Sequence, residues 1–96
     1  MPVKGSVIRE HLIFSGAVQG VGFRYRARRA AEAFGVTGWV RNDWSGTVSM
    51  ELQGSRGAIE QVLASIERGL YVRVESVERR AIPVEPEERG FVTREE

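Results

Sequence analysis

Apolar residues recur along the chain in two rhythms, one of period two and one near 3.6, and their succession outlines a fold. The run His11-Leu12-Ile13-Phe14-Ser15 has the length and bulk of a strand. From Phe23 the period lengthens: Phe23, Ala27, Ala30, Ala31 and Phe34 lie at i, i+4, i+7, i+8 and i+11, one helical stripe. Arg26, Arg28, Arg29 and Glu32 fill the rest of that surface, with Arg28 and Glu32 spaced to pair across a turn. Gly35 is placed to end the helix in a left-handed conformation. A second strand, Val36 to Asn42, and a third, Thr47 to Gln53, flank the turn Asp43-Trp44-Ser45-Gly46 and predict a hairpin. In the third strand Val48, Met50 and Leu52 alternate with Ser49, Glu51 and Gln53, which predicts one buried and one wet face.

Ser55 is a plausible N-cap for a second helix, whose stripe is Ile59, Val62, Leu63, Ile66 and Leu70, with Gly69 as its terminator. A fourth strand spans about Tyr71 to Arg80; Val72 and Val74 keep register and Val77 breaks it, which predicts a bulge near Glu75 and Ser76. Pro83 and Pro86 mark a polar, acidic loop, and Phe91-Val92-Thr93 can form a short last strand. The order β-α-β-β-α-β plus a C-terminal strand predicts an α+β, ferredoxin-like α/β sandwich: an antiparallel sheet with both helices on one face. With 96 residues, no repeat and no linker, the expectation is one domain over residues 1–96.

Composition narrows the chemistry. Cysteine is absent, so there is no disulfide framework, thiol nucleophile or thiolate metal site. His11 is the sole histidine and the acids form no recognisable ligand cluster, so neither a metal nor a cofactor is expected; His11 itself reads as a strand residue on a sheet face. The stretch Met1–Gly5 lacks the apolar core of a signal peptide and no run is long enough to span a bilayer, so the expected location is cytoplasmic, with no membrane partner. A net charge of +1 argues against broad polyanion binding. The charge is uneven, however: residues 1–48 carry a net +4 and residues 49–96 a net −3. A solvated arginine-bearing helix face accounts for most of the surplus.

Between the first strand and the first helix lies Gly16-Ala17-Val18-Gln19-Gly20-Val21-Gly22, with three glycines in seven residues. Such a connection can turn successive backbone N–H groups onto one anion, with the positive end of the following helix behind them. Arg24 falls in the first helical turn, where a cation is electrostatically the wrong choice unless an anion is bound between it and the amides. Its planar fork can hold two phosphate oxygens together. The same residues also read as a sterically required loop with a surface arginine. Asn42 likewise has two readings: a turn residue, or an amide that accepts a hydrogen bond from water and donates one to a phosphate oxygen.

The segment Gly16-Ala17-Val18-Gln19-Gly20-Val21-Gly22-Phe23-Arg24 resembles the first signature of the acylphosphatase family. Gly38-Trp39-Val40-Arg41-Asn42, with Gly46, Val48 and Gly54 downstream, resembles its second, in the family's order and separation. The resemblance covers nearly the whole chain. It implies an enzyme that hydrolyses the carboxyl–phosphate bond of small-molecule acyl phosphates. The implied phosphate cradle is the backbone of Gln19, Gly20, Val21, Gly22 and Phe23. Arg24 would bind the phosphoryl group and Asn42 would orient the attacking water, with Gly38 and Trp39 as framework. Inorganic phosphate would be product and inhibitor, and the protein a monomer. Asp43 follows Asn42; alternation along the strand turns it away from the site, and the other reading makes it a general base.

Two rival functions use the same elements. One keeps the cradle without hydrolysis, as a sensor of an acyl phosphate. The other is an RNA-binding domain, which shares the element order but needs exposed aromatics on adjacent central strands. Phe14 is the candidate on the first strand, whereas Thr47 to Glu51 offer none, so no nucleic-acid partner is expected.

Overall fold

Alternation in the first strand decides which side of the sheet is covered. The computed structural model describes residues 6–95, so the Met1–Gly5 stretch and Glu96 lie outside the described residues. The elements are β1 (Ile8–Ala17), α1 (Phe23–Phe34), β2 (Thr37–Asn42), β3 (Val48–Gly54), α2 (Arg56–Glu67), β4 (Arg73–Ile82) and β5 (Phe91–Arg94). They form one five-stranded sheet of order β4-β1-β3-β2-β5. Neighbours among the first four strands run antiparallel, as the element order predicts. β5 joins the far edge parallel to β2, so the whole sheet is mixed.

Register aligns Leu12 with Met50, Met50 with Val40, and Phe14 with Val48, placing one apolar row after another on a single face. Both helices close over it. α1 contributes Phe23, Ala27, Ala30 and Ala31, and α2 contributes Ile59, Val62, Leu63 and Ile66. Phe14 meets Phe23 edge to face at 4.9 Å, joining sheet to helix directly beneath the first helical turn. Arg28 and Glu32 pair at 3.5 Å on the exposed side of α1. Gly35 ends that helix in the left-handed region (φ 69°, ψ 30°), donating its N–H to the Ala31 carbonyl. The Ser55 hydroxyl caps α2 by accepting from the Ala58 N–H.

The structure corrects the sequence reading at four places. Phe34 and Leu70, the last members of their stripes, are 43% and 85% exposed: Phe34 is the final residue of α1, and Leu70 lies beyond the end of α2 at Glu67. Gly69 is not a left-handed terminator. α2 ends at Glu67, and Gly69 instead gives room to its neighbours, since a Cβ there would push the Arg26 and Val72 side chains aside. The second face of β3 is not wet: Ser49 and Gln53 are buried. The chain must pass from β4 to β5 across the full width of the sheet, and residues 83–90 make that crossing beneath it. There the Glu85 N–H donates to Gln53 Oε1 at 2.8 Å, Gln53 Nε2 returns to the Glu85 carbonyl at 3.0 Å, and Glu88 pairs with Arg9 at 2.7 Å. The bulge is where the valine pattern puts it: opposite Ser15 and Gly16, β4 steps from Ser76 to Val74 and leaves Glu75 unpaired.

Burial separates two leucines that the helical and strand patterns rank alike. Leu12→Ala should destabilise the protein by about 2–5 kcal/mol in urea titrations. Leu70→Ala should stay within about 0.5 kcal/mol. Equal losses would place Leu70 in the core after all.

Candidate active site

Glycine geometry brings the loop back over the sheet. Gly20 (φ 73°) and Gly22 (φ 85°) occupy the left-handed region, where a side chain is strained. Apolar contacts pin the chain around them: Val18, before Gly20, is fully buried, and Val21, between the two glycines, packs against the core. Gly22 is the N-cap of α1, no side chain caps it, and no acid stands in the first turn. The helix therefore starts with amide N–H groups that its own residues leave unanswered.

Against this helix end lies a cavity of about 170 Å³. Val18, Gly20 and Gly22 form one wall, the first turn of α1 another through Phe23, Arg24 and Tyr25, and Asn42 the third. At about 30 Å³ per liquid water, this is room for a phosphoryl group with a water beside it. Arg24 and Asn42, 18 positions apart in sequence, converge here. Asn42 reaches it because β2 pairs Val40 with Met50 and Asn42 with Val48, which sets its side chain on the helix-covered face. Asn42 Oδ1 is buried and, among the described residues, has no hydrogen-bond partner. A buried acceptor left so costs about 1–3 kcal/mol, which a hydrogen-bond donor brought to it would remove.

The Arg24 guanidinium is similarly under-used. The carboxylate it meets is Glu95, 3.9 Å away and 91% exposed, a contact that water and salt screen almost completely. Other arginines are engaged: Arg9 with Glu51 and Glu88 at 2.9 and 2.7 Å, and Arg79 with Glu10 and Glu60 at 2.6 Å each. That contrast decides between cavities. A larger hollow of about 340 Å³ on the opposite face is lined by His11, Ile13, Glu78, Arg79 and Arg80. Its Arg79 is held by two carboxylates and its His11 by Glu51 at 2.7 Å. That leaves Arg80, which shares the hollow with Glu78, and every lining residue comes from β1 or β4, so no helix start adds amide donors there.

Of the residues singled out from sequence, Gly20, Gly22, Phe23, Arg24 and Asn42 line the cavity. Gln19 and Val21 flank it; the Gln19 side chain turns to the β2–β3 connection, where it donates to the Asp43 and Thr47 carbonyls. Val18 and Tyr25 line the cavity without having been singled out, Val18 as an ordinary core valine and Tyr25 as a residue outside the apolar stripe. Tyr25 is steadied at the rim by Arg29, whose Nη1 donates to its hydroxyl at 2.8 Å. Asp43 faces away. Its carboxylate accepts from Ser49 Oγ at 2.7 Å, Thr47 Oγ1 at 2.8 Å and Arg41 Nε at 3.1 Å. Burial alone would raise its pKa, but the hydrogen bonds from Ser49, Thr47 and Arg41 outweigh it and hold the carboxyl below its ordinary value. Phe14, the aromatic an RNA platform would need, is 1% exposed beneath the helices. Among the described residues no three His, Asp or Glu side chains come together as metal ligands, and no helix is long and apolar enough to cross a membrane.

Comparison with known proteins gives a consistent answer. The acylphosphatase family model matches residues 10–93. The acylphosphatase of Geobacillus thermodenitrificans is 42% identical over 84 residues, covering 86% of this chain and 89% of the relative. That of Roseiflexus sp. is 43% identical over 84 residues, covering 86% and 90%. Among solved structures, an acylphosphatase from Coxiella burnetii superposes with a TM-score of 0.84 at 31% identity, covering 97% of this chain and all of the other. A HypF structure in phosphate- and nucleotide-bound form superposes at 0.83 over 97% of this chain and 12% of its own length; at 24% identity it speaks for the fold alone.

Asp43 offers a test of what the turn contributes. A carboxyl with a depressed folded pKa stabilises the protein above its unfolded value of about 3.8 and loses that contribution as pH falls through the folded one. Asp43→Asn should therefore be less stable than wild type at pH 7, with the gap closing below about pH 3.8 in pH-dependent urea melts. Turnover of an acyl phosphate should fall less than about tenfold; a loss of 10²–10⁴ would make Asp43 a base in the reaction.

Proposed function

The chain belongs to the acylphosphatase family, and on that footing we propose that it hydrolyses acyl phosphates to a carboxylate and inorganic phosphate, using Arg24 and Asn42. One observation carries the reading: Arg24, whose guanidinium is loosely partnered, and Asn42, whose carboxamide oxygen is buried and unsatisfied, line one small cavity at an uncapped helix start.

The phosphoryl group sits on the amide side of the loop, with Gln19 to Phe23 as the cradle and Arg24 closing it from the first turn. Positive charge on both sides stabilises the equatorial oxygens, where the transition-state charge is spread. Asn42 Oδ1 accepts a hydrogen bond from a water and aims its oxygen at phosphorus, so that a collision in solution becomes an oriented attack. The water oxygen–phosphorus bond forms as the phosphorus–acyl oxygen bond breaks, the acyl carboxylate leaves with the bonding pair, and the water proton passes to a phosphate oxygen. A carboxylate is too weak a base to need a general acid. The positive charge comes from a guanidinium, amide dipoles and a helix end, so the reaction as proposed uses no metal or other cofactor. The substrates are small-molecule acyl phosphates, and the protein acts as a cytoplasmic monomer of one domain over residues 1–96. The orphaned Asn42 oxygen favours hydrolysis over a sensor, because the oxygens of an acyl phosphate dianion carry no hydrogen to donate to it and a water does.

Arg24→Ala should lower kcat/KM for benzoyl phosphate by at least about 10²-fold and abolish competitive inhibition by inorganic phosphate, with the melting curve preserved. Asn42→Ala should lower kcat by about 10²-fold or more while the inhibition constant for phosphate stays within about threefold. Wild-type turnover by the arginine variant, or a loss confined to phosphate affinity in the asparagine variant, would overturn the assignment. Activity should be the same with and without a chelator.

A further inference from the structure

The side chain of Gln19, which the reaction as described never touches, joins the two halves of the site. Its Nε2 donates to the Asp43 carbonyl at 2.7 Å and to the Thr47 carbonyl at 2.8 Å, using both N–H bonds of the amide. Those carbonyls stand at either end of the β2–β3 turn, immediately after Asn42. On the other side, Gln19 precedes Gly20, part of the cavity wall. One amide group thus spans from the cradle to the turn that carries the water-holding residue.

Turn closure does not require it. The Asp43 carbonyl already accepts the Gly46 N–H at 3.0 Å, and the Thr47 carbonyl accepts the Asp43 N–H at 2.9 Å. The Asp43 carboxylate stitches the same turn through Thr47 and Ser49. Sheet pairing does not supply the link either. Among the described residues the β1–β3 ladder ends at Phe14 opposite Val48, and beyond it β1 continues only along β4, with Gly16 opposite Val74. Past Phe14 the loop and the turn therefore face each other with no ladder between them, and Gln19 bridges that gap.

We propose that Gln19 is a positioning residue that fixes the separation between the phosphate cradle and Asn42, and so sets the rate of water attack without setting phosphate affinity; this rests on the hydrolytic reading above. A displacement of about 1 Å between bound substrate and an attacking group costs on the order of 10²-fold in rate. Phosphate binding depends on the loop amides and Arg24, which move together with the loop.

The test is a cycle of Gln19→Ala and Asn42→Ala, with Gln19→Glu as a variant that keeps the volume and removes the donor. Gln19→Ala and Gln19→Glu should each lower kcat for benzoyl phosphate by about 10–100-fold, with the phosphate inhibition constant changed less than about threefold. In the Asn42→Ala background, Gln19→Ala should lower kcat less than about twofold further, because it acts through Asn42. Equal factors in both backgrounds, or an unchanged kcat in Gln19→Glu, would overturn the proposal. An Asn42→Ala variant with wild-type turnover would instead sink the hydrolytic role of Asn42. Titration with inorganic phosphate followed by NMR needs no turnover. In Gln19→Ala the shift of the Asn42 side-chain amide should shrink at least threefold while the Gly20 and Gly22 backbone shifts persist. An undiminished Asn42 shift would refute the positioning role whatever the kinetics.

Discussion

Everything at the site depends on the parity of β2. Side chains alternate across a strand, so Asn42 lies under the start of α1 only while Asn42 pairs with Val48 and Val40 with Met50. A slip of one residue would turn it to the opposite face. Two residues of the same strand hold the register. Gly38 has φ 142° and lies so close to β3 that a Cβ would run into the Glu51 carbonyl oxygen. Trp39, one residue on, is clasped on the other face by the Arg41 and Arg94 guanidiniums, 5.2 and 4.8 Å from its ring, with His11 against it at 6.0 Å. Gly38 and Trp39 touch no part of the cavity, yet they determine which face Asn42 occupies.

Charge is partitioned on the same plan. The chain holds many arginines, and the described structure puts most of those near the site to structural use. Arg26 donates to the Ser65 carbonyl and ties α1 to α2, Arg28 faces Glu32, Arg29 holds Tyr25, and Arg41 closes the hairpin turn with Asp43. Beneath the sheet, Glu51 takes both Arg9 and His11; burial would raise its pKa, but the hydrogen bonds from His11 and Arg9 hold it down. Arg24 is left with a distant, solvated carboxylate. A guanidinium kept free of strong internal partners is available to an incoming dianion without first breaking a bond.

Much of this was legible in the sequence, and the exceptions share a cause. Local signals were read correctly: the limits of α1, the Gly35 and Ser55 caps, the bulge at Glu75 and the element order all follow from spacing within a few residues. Periodicity could not say where a stripe leaves the core or its helix ends, hence Phe34 and Leu70. Alternation in β3 identified two faces but not what covers the second, because the cover is a loop more than thirty residues later in the sequence. The site divides the same way. Arg24 and the glycines stood out because their chemistry is odd for a helix start, and Asn42 stood out through its motif. The Gln19 side chain gave no sign, since a glutamine among glycines looks the same whether or not its amide reaches across space. Nothing in the sequence distinguished a parallel from an antiparallel β5.

The placement of β5 has a consequence for how the molecule comes into being. β2 is flanked by β3 on one side and by β5 on the other, and β5 is synthesised long after β2. The strand bearing Asn42 therefore has one edge, and one of the two cations on Trp39, supplied from the far end of the chain. Pairing between segments so distant in sequence raises contact order and slows folding.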